Sequence, residues 1–480
     1  MRLGGRVTGN GNHTHSVRSV LLYDLSRYLL GRHYTLAKFK GDLIAGLTIA
    51  SLCIPQDIGY SKLANLPPEI GLYSSFVPPL IYPLMGTSKD IAMGPVAVVS
   101  LMLGTLLQNE IDPKKNPMEY RRLAFTATFF AGLTEAALGF FSFLKKGLML
   151  GCFCSVELAD YFDRCIIPGI PSDHKGKKNK KLFWISAIAP LTSVIVSTFF
   201  VYITHADKHG VAIVKNIKKG INPPSAGLIY FTGPLALKGF KIGVVTGLIA
   251  LTESIAIGRT FAAMNDYPLD GNKEMMALGT MNIVGSLTSC YITTGGFGRS
   301  AVNCLAGCKT AASNMIMSIV VLLTLLFITP LFKYTPNAIL SSIIITAVIG
   351  LIDYKAAYVI WKVDKLDFLA CLGAFFGVIF SSVEYGLLTA VGIKTLLSYL
   401  QLNFLRRTVV DIDTSGVHAL EELLRALEKQ KIQLILVNPG PEVIHKLRAA
   451  KFIERIGEDK IFLTVTDAVK KFAPKALDSV

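Results

Sequence analysis

The stretch CYITTGGFGRSAVNC (290–304) places one cation, Arg299, in a glycine-rich break between two apolar runs. An earlier stretch, MGPVAVV (93–99), shares the layout of FGRSAVN (297–303): a glycine-containing extended piece, then a helix opening on small residues. Both helices are too short to cross a bilayer alone. Secondary carriers use paired broken helices, in two inverted halves, to build a midplane site. The unsatisfied N–H groups and the positive dipole at each helix start then face one point. That is chemistry for an anion, and Arg299 adds a fixed charge to it. Pro95 suits a first helical turn, where no N–H is needed. Gly295, Gly296 and Gly298 let an ion come close to the backbone. The plainer alternative is a kinked helix whose glycines serve packing. A dinucleotide site is excluded, because GGFGRS is not GxGxxG after a soluble strand.

Such residues need membrane-type elements to hold them. The chain has 480 residues, 51% hydrophobic and only 17% charged, with a mean hydropathy of +0.49. Soluble domains carry charge on about a quarter of their residues. Apolar runs recur along the chain, and several approach the roughly 20 residues that span a bilayer. Composition therefore predicts a polytopic membrane protein with the lipid bilayer as its first partner. The formal charge of +16 reads as a topology signal, since Lys and Arg gather in short cytoplasmic loops. Basic clusters flank the apolar runs instead of forming one stripe, which argues against nucleic acid. The eight cysteines are scattered without a CxxC pair, so neither a zinc site nor a disulfide framework is expected. No cofactor motif and no metal-ligand cluster appears. No nucleophile, base and orienting group share a useful spacing, so an enzyme is not expected. The polar, basic residues 1–40 contain no cleavable signal and predict a cytosolic N-terminus.

Spans are expected near 42–62, 70–85, 121–143, 182–203, 242–264, 274–291, 299–311, 313–332, 338–352, 366–382 and 384–402, with a short helix at 93–104. The first is expected to break at IPQDIGYSKLANLPP, where Pro55 removes a donor and Gln56, Asp57 and Tyr60 are polar. Residues 145–181 have no clean period and read as an irregular basic loop. The loop 205–241 holds Lys208, Lys215, Lys218, Lys219, Lys238 and Lys241, placed outside by parity; it either gathers anions or is simply solvated. From 403 the pattern becomes soluble α/β: a strand, a helix at 416–429, a strand at 432–437, a helix at 442–450, then strand and helix. The domains expected are a tail (1–40), a transport domain in two parts (41–144 and 182–402) around the loop 145–181, and a small α/β domain (403–480).

Three acids fall inside apolar runs. Glu253 lies mid-span in VVTGLIALTESIAIGRTF, and an intramembrane ionisable residue marks a functional site by default. It is a candidate proton carrier, with Arg259 two turns on as an alternative, purely structural partner. Glu135 is a second candidate. Asp57 is expected at the mouth of the site, where it would repel an anion.

The stretches PQDIGYSKLANLPPEIGLYSSFVPPLIYPLMGTSKDIAMGPVAVVSLML, LTESIAIGRTFAAM, DGNKEMMALGTMNIVGSLTSCYITTGGFGRSAVN and DIDTSGVHALEEL closely resemble the plant high-affinity sulfate transporters of the sulfate permease family. The resemblance covers roughly 38–143 and 182–475. It implies an all-α polytopic fold of two inverted sevens of spans, followed by a cytoplasmic α/β STAS domain. It also implies a homodimer that moves anions by an elevator-like motion, in a plant plasma membrane, with both termini cytoplasmic. The implied partners are sulfate, with selenate or molybdate as further substrates, and protons. By the same resemblance Gln56 and Tyr60 are substrate ligands, Val96 and Ala97 offer backbone N–H groups, and Phe297, Arg299 and Ser300 open the second half-helix. Glu253 is then the proton-coupling acid. Thr414 in DIDTSG matches the phosphorylatable hydroxyl of STAS domains, although Thr414 and Ser415 also suit a plain helix cap.

The chain departs from that family in two places. Spans five and six are missing after Phe141, replaced by 145–181, and the STAS domain begins too late, without its linker and first elements. The family has serines where Gly296 and Gly298 stand, and one lost hydrogen bond to a charged ligand is worth about 1.5–3 kcal/mol. The alternatives to a proton-coupled symporter are thus a transport-inactive or regulatory isoform that pairs with full-length subunits, and an exchanger or channel-like carrier.

Overall fold

The computed structural model describes residues 34–144, 180–214, 217–265 and 267–349, and within 358–471 a discontinuous set including 365–380, 414–429 and 433–464. Of the expected loop 145–181, only residues 180 and 181 are described. The join at 402/403 lies outside the described residues. Those residues form two units, one up to Ile349 and one from 358 onward.

In the first unit, helix α1 (Leu36–Leu63) starts earlier than the expected 42, because the Thr35 side chain accepts the Lys38 N–H at 3.4 Å and caps it. It runs without interruption through Pro55, so the expected break of the first span is absent. Proline removes one backbone bond there, and the buried surroundings of 42–61 hold the helix through it. A continuous helix lays Cys53, Gln56, Asp57 and Tyr60 on one face, at the i, i+3, i+4, i+7 spacing. The second expected span is instead two short helices, α2 (Pro68–Ser74) and α3 (Val77–Met85). Pro78 and Pro79 lack the N–H groups a continuous helix would need. The break leaves Ser75 free to turn toward α1.

Strand β1 (Met93–Gly94) leads into half-helix α4 (Ala97–Gln108), and α5 (Pro117–Leu144) follows. After α6 (Lys180–Thr204), α7 (Pro234–Asn265) begins well before the expected 242. Proline suits a helix start, so Lys238 and Lys241 lie on the helix and not in the expected loop. Lys238 Nζ pairs with Glu110 at 2.6 Å. Next come α8 (Gly271–Leu287), strand β2 (Thr294–Gly295) and half-helix α9 (Phe297–Ala306). Helix α10 (Ala312–Leu323) continues as a π turn (Thr324–Ile328) and a 3-10 turn (Thr329–Tyr334), and α11 (Asn337–Ile349) closes the unit.

Small residues let α5 pack tightly on α7 and α8. A Cβ on Gly132 would lie 2.7 Å from the Gly279 carbonyl, and one on Gly243 would lie 2.5 Å from that of Ala127. Close backbone approach of this kind is how helices associate in lipid. Among the described residues, four helices are long and apolar enough to cross a membrane: Leu36–Leu63, Pro117–Phe141, Pro234–Asn265 and Ala312–Tyr334.

The second unit holds α12 (Lys365–Phe380), α13 (Thr414–Lys429), β3 (Leu436–Val437), α14 (Pro441–Ala449), α15 (Phe452–Ile456) and β4 (Ile461–Phe462). Strands β3 and β4 pair in parallel, as a crossover connection requires. Val417 and Leu424 of α13 pack on Val443, Leu447, Phe452, Ile453 and Ile456. Short α15 was not anticipated between the last two strands. The strand expected before α13 lies outside the described residues, as does most of 384–402.

Candidate anion site

Antiparallel pairing sets Met93 against Gly295 and Gly94 against Thr294. The chain directions oppose there, so α4 and α9 both start at the crossing and run away from it. Val96 and Gly296 hold the N-cap positions, and neither helix has a side-chain cap. The N–H groups that open them, including those of Ala97 and Phe297, are therefore left for a ligand. Phe297 also leans on Phe261, with ring centroids 5.9 Å apart.

Extended backbone inside a membrane protein must find partners, and polar side chains supply them here. Asn314 accepts the Met93 N–H at 3.0 Å and donates to the Ile91 carbonyl at 2.8 Å. Asn282 accepts the Thr293 N–H at 2.9 Å, and the Thr294 hydroxyl donates to the Ala250 carbonyl at 2.5 Å. Ser300 belongs to this frame: its hydroxyl donates to the Gly296 carbonyl at 2.7 Å and accepts the Ala92 N–H at 3.0 Å. Ser300, expected to open the second half-helix, does so, and its hydroxyl is committed to the backbone.

Arg299 projects from the first turn of α9 and is 3% exposed. Its Nη1 lies 3.2 Å from Asp57 Oδ1 and 3.5 Å from Cys53 Sγ, and the guanidinium stands 5.9 Å from the Tyr60 ring centroid. Its Nη2 is buried with no hydrogen-bond partner. Only glycine at position 94 allows this placement. A Cβ there would overlap Arg299 Nη1, and Gly94 has φ +152°.

Asp57 is not at the mouth of the site. It is fully buried, paired with Arg299, and its other oxygen accepts the Ser75 hydroxyl. A cation buried this deeply needs a counter-charge, and α1 provides one a single turn from Cys53 and Tyr60.

Glu253, on α7, is partly accessible, and its Oε2 is buried without a partner. The cation acting on it is Arg299, from α9, and not Arg259 on its own helix. Gln56 is 5% exposed and its Oε1 has no partner. Tyr60, Asp57 and Cys53 all stand around the one guanidinium of Arg299, with Glu253 close enough to act on Tyr60, so the cluster is one site. Buried polar atoms without partners are rare, and this cluster holds three: Gln56 Oε1, Glu253 Oε2 and Arg299 Nη2. A side-chain amide can turn either its oxygen or its NH2 inward. An oxyanion placed among these groups would satisfy the guanidinium, the amide and the open helix starts at once.

Glu135 lies elsewhere, fully buried between α5 and α8, where it accepts the Asn282 amide at 2.9 Å. Gly298 faces open space, whereas a Cβ on Gly296 would meet Arg299 Nε at 3.0 Å. Thr414 is the first residue of α13, in the second unit. Among the described residues, no group of His, Cys, Asp and Glu could hold a metal ion.

The family model for the sulfate permease family matches residues 39–150 and 170–374, and that for the STAS domain matches 392–468. The chain belongs to the sulfate permease family. It is accordingly a multi-pass membrane protein with a C-terminal STAS domain. It is 53% identical to Sulfate transporter 1.3 of Arabidopsis thaliana, over 94% of this chain and 87% of that protein. It is 52% identical to High affinity sulfate transporter 1 of Stylosanthes hamata, over 93% of this chain and 85% of the relative. The first of these alignments runs over 572 positions although the chain has 480 residues. Such relatives therefore contain internal segments that this sulfate permease lacks. Its fold is similar to murine Solute Carrier 26 family member A9 in the inward-facing state, with a TM-score of 0.64 at 20% identity, covering 97% of this chain and 99% of that one. It is also similar to the transmembrane domain of a cyanobacterial bicarbonate transporter, with a TM-score of 0.55 at 16% identity, covering 74% of this chain and 98% of that one.

Proposed function

We propose that this sulfate permease carries sulfate into a plant cell together with protons, binding the anion where half-helices α4 and α9 start. The observation behind this is the unpartnered, buried Arg299 Nη2 beside two helix starts without side-chain caps. The curated relatives are named as sulfate transporters, which supports sulfate as the substrate; selenate and molybdate share its tetrahedral oxyanion shape. Gln56 and Tyr60 donate from α1, and Ala97 and Phe297 donate from the backbone. Glu253 takes up a proton, removing a negative charge beside the incoming dianion. The protein works as a homodimer in the plasma membrane, its termini in the cytoplasm, and Thr414 serves as a phosphorylation point.

The test is labelled-sulfate uptake in cells lacking their own sulfate permease, with surface expression checked. Uptake stimulated by an inward proton gradient is expected. Uptake indifferent to that gradient would favour an exchanger or channel-like carrier. The alignment length favours a second reading, in which the chain lacks parts of the membrane scaffold and acts as a regulatory partner. Surface-expressed protein without uptake, with flux restored or altered by a full-length subunit, would establish that reading.

A further inference from the structure

From the ion pair between Asp57 and Arg299 we infer a second proton site: Asp57 occupies the substrate guanidinium in the unloaded site and takes up a proton when sulfate displaces it. This rests on the reading of the site as a sulfate site. Among the described residues, the titratable groups gathered around Arg299 of α9 are Cys53, Asp57 and Tyr60 on α1, Glu253 on α7 and Tyr291 ahead of β2. Arg299 is the only cation in this group. Asp57 is therefore a resident anion on the group that sulfate must use.

The charge balance decides how many protons the loaded site needs. With both carboxyls ionised, sulfate would bring the cluster to a net charge of minus three. Protonating Glu253 alone leaves minus two. Protonating Asp57 as well leaves minus one, close to what two helix starts of about +0.5 each can offset. Burying uncompensated charge is strongly unfavourable, so the two-proton state is the one that holds a dianion.

The surroundings of Asp57 suit both of its states. The Ser75 hydroxyl donates to the carboxylate, and a hydroxyl can equally accept from a protonated carboxyl. Ser75 can therefore keep Asp57 in place while Arg299 transfers to the anion. The proton comes from the outer solution, binds a carboxylate oxygen, and leaves on the inner side when sulfate departs and the ion pair re-forms.

The experiment counts protons taken up per sulfate bound, using purified full chain in detergent, weakly buffered well on the alkaline side of neutrality with an indicator dye, so that both carboxyls start ionised. Wild type should take up two, Glu253→Gln one and Asp57→Asn one, while Asp57→Glu, which keeps a carboxyl, should return to two. A wild-type count of one with sulfate bound would overturn the proposal, as would a Glu253→Gln protein that binds sulfate and takes up none. Should Asp57→Asn not fold, the wild-type and Glu253→Gln counts decide the matter. A merely positioning Asp57 would lower affinity in Asp57→Asn and leave its count equal to wild type. Wild-type protein that binds no sulfate at all would instead remove the functional reading on which the proposal rests.

Discussion

Replacing Arg299 with alanine is expected to weaken sulfate binding by roughly 10- to 150-fold, the loss of about 1.5–3 kcal/mol that one charge-assisted hydrogen bond supplies. Nη2 has no protein partner to lose, so the effect falls on the ligand. The variant also strands Asp57, since removing one member of a buried pair leaves the other charge uncompensated. Titration calorimetry with sulfate on folded protein separates the two effects. Arg299→Lys should recover part of the affinity, because it restores a point charge without the planar fork. Gly94→Ala should reach a similar loss without deleting any ligand side chain. Its Cβ would overlap Arg299 Nη1 and push the guanidinium away from Asp57. An Arg299→Ala protein with wild-type affinity would remove this residue from the site.

Glu253→Gln should cut the dependence of uptake on acid outside from two protons to the one that Asp57 takes up, leaving a chain that still binds sulfate. The amide stands for the protonated acid, so the site stays receptive without a proton to carry at this position. Energetically the loss is large. Each charge moved against the membrane potential is worth about 2.3 kcal/mol per 100 mV, so a sulfate that travels one proton short accumulates roughly 50-fold less at that potential. Uptake across a range of outside pH, with and without an imposed potential, reads the effect. A Glu253→Gln chain whose uptake rises with acidity as steeply as wild type would remove Glu253 from proton coupling.

Much of this site was legible in the sequence because its chemistry is backbone chemistry. The two glycine-marked stretches around Pro95 and Arg299 announce half-helices whichever way the chain folds, and β1 and β2 cross between them. Glu253 was legible for a different reason: an acid inside an apolar run needs an explanation. What the sequence did not yield was partnership across distance. Asp57 and Arg299 are far apart in the chain, and nothing local says that α1 turns the Asp57 face toward α9. The usable signal was weak but present: a buried Arg and a buried Asp in separate spans each require a counter-charge. Pro55 misled for the opposite reason, since local propensity predicts a break where packed neighbours keep a helix intact.

The most direct measurement is the position of the bound anion in crystals grown with selenate, whose selenium scatters anomalously at its absorption edge. The predicted result is a peak where β1 crosses β2, within hydrogen-bond reach of Arg299 Nη2 and of the N–H groups that open α4 and α9. A peak elsewhere, such as among the lysines ahead of α7, with nothing at the crossing at saturating selenate, would contradict the assignment.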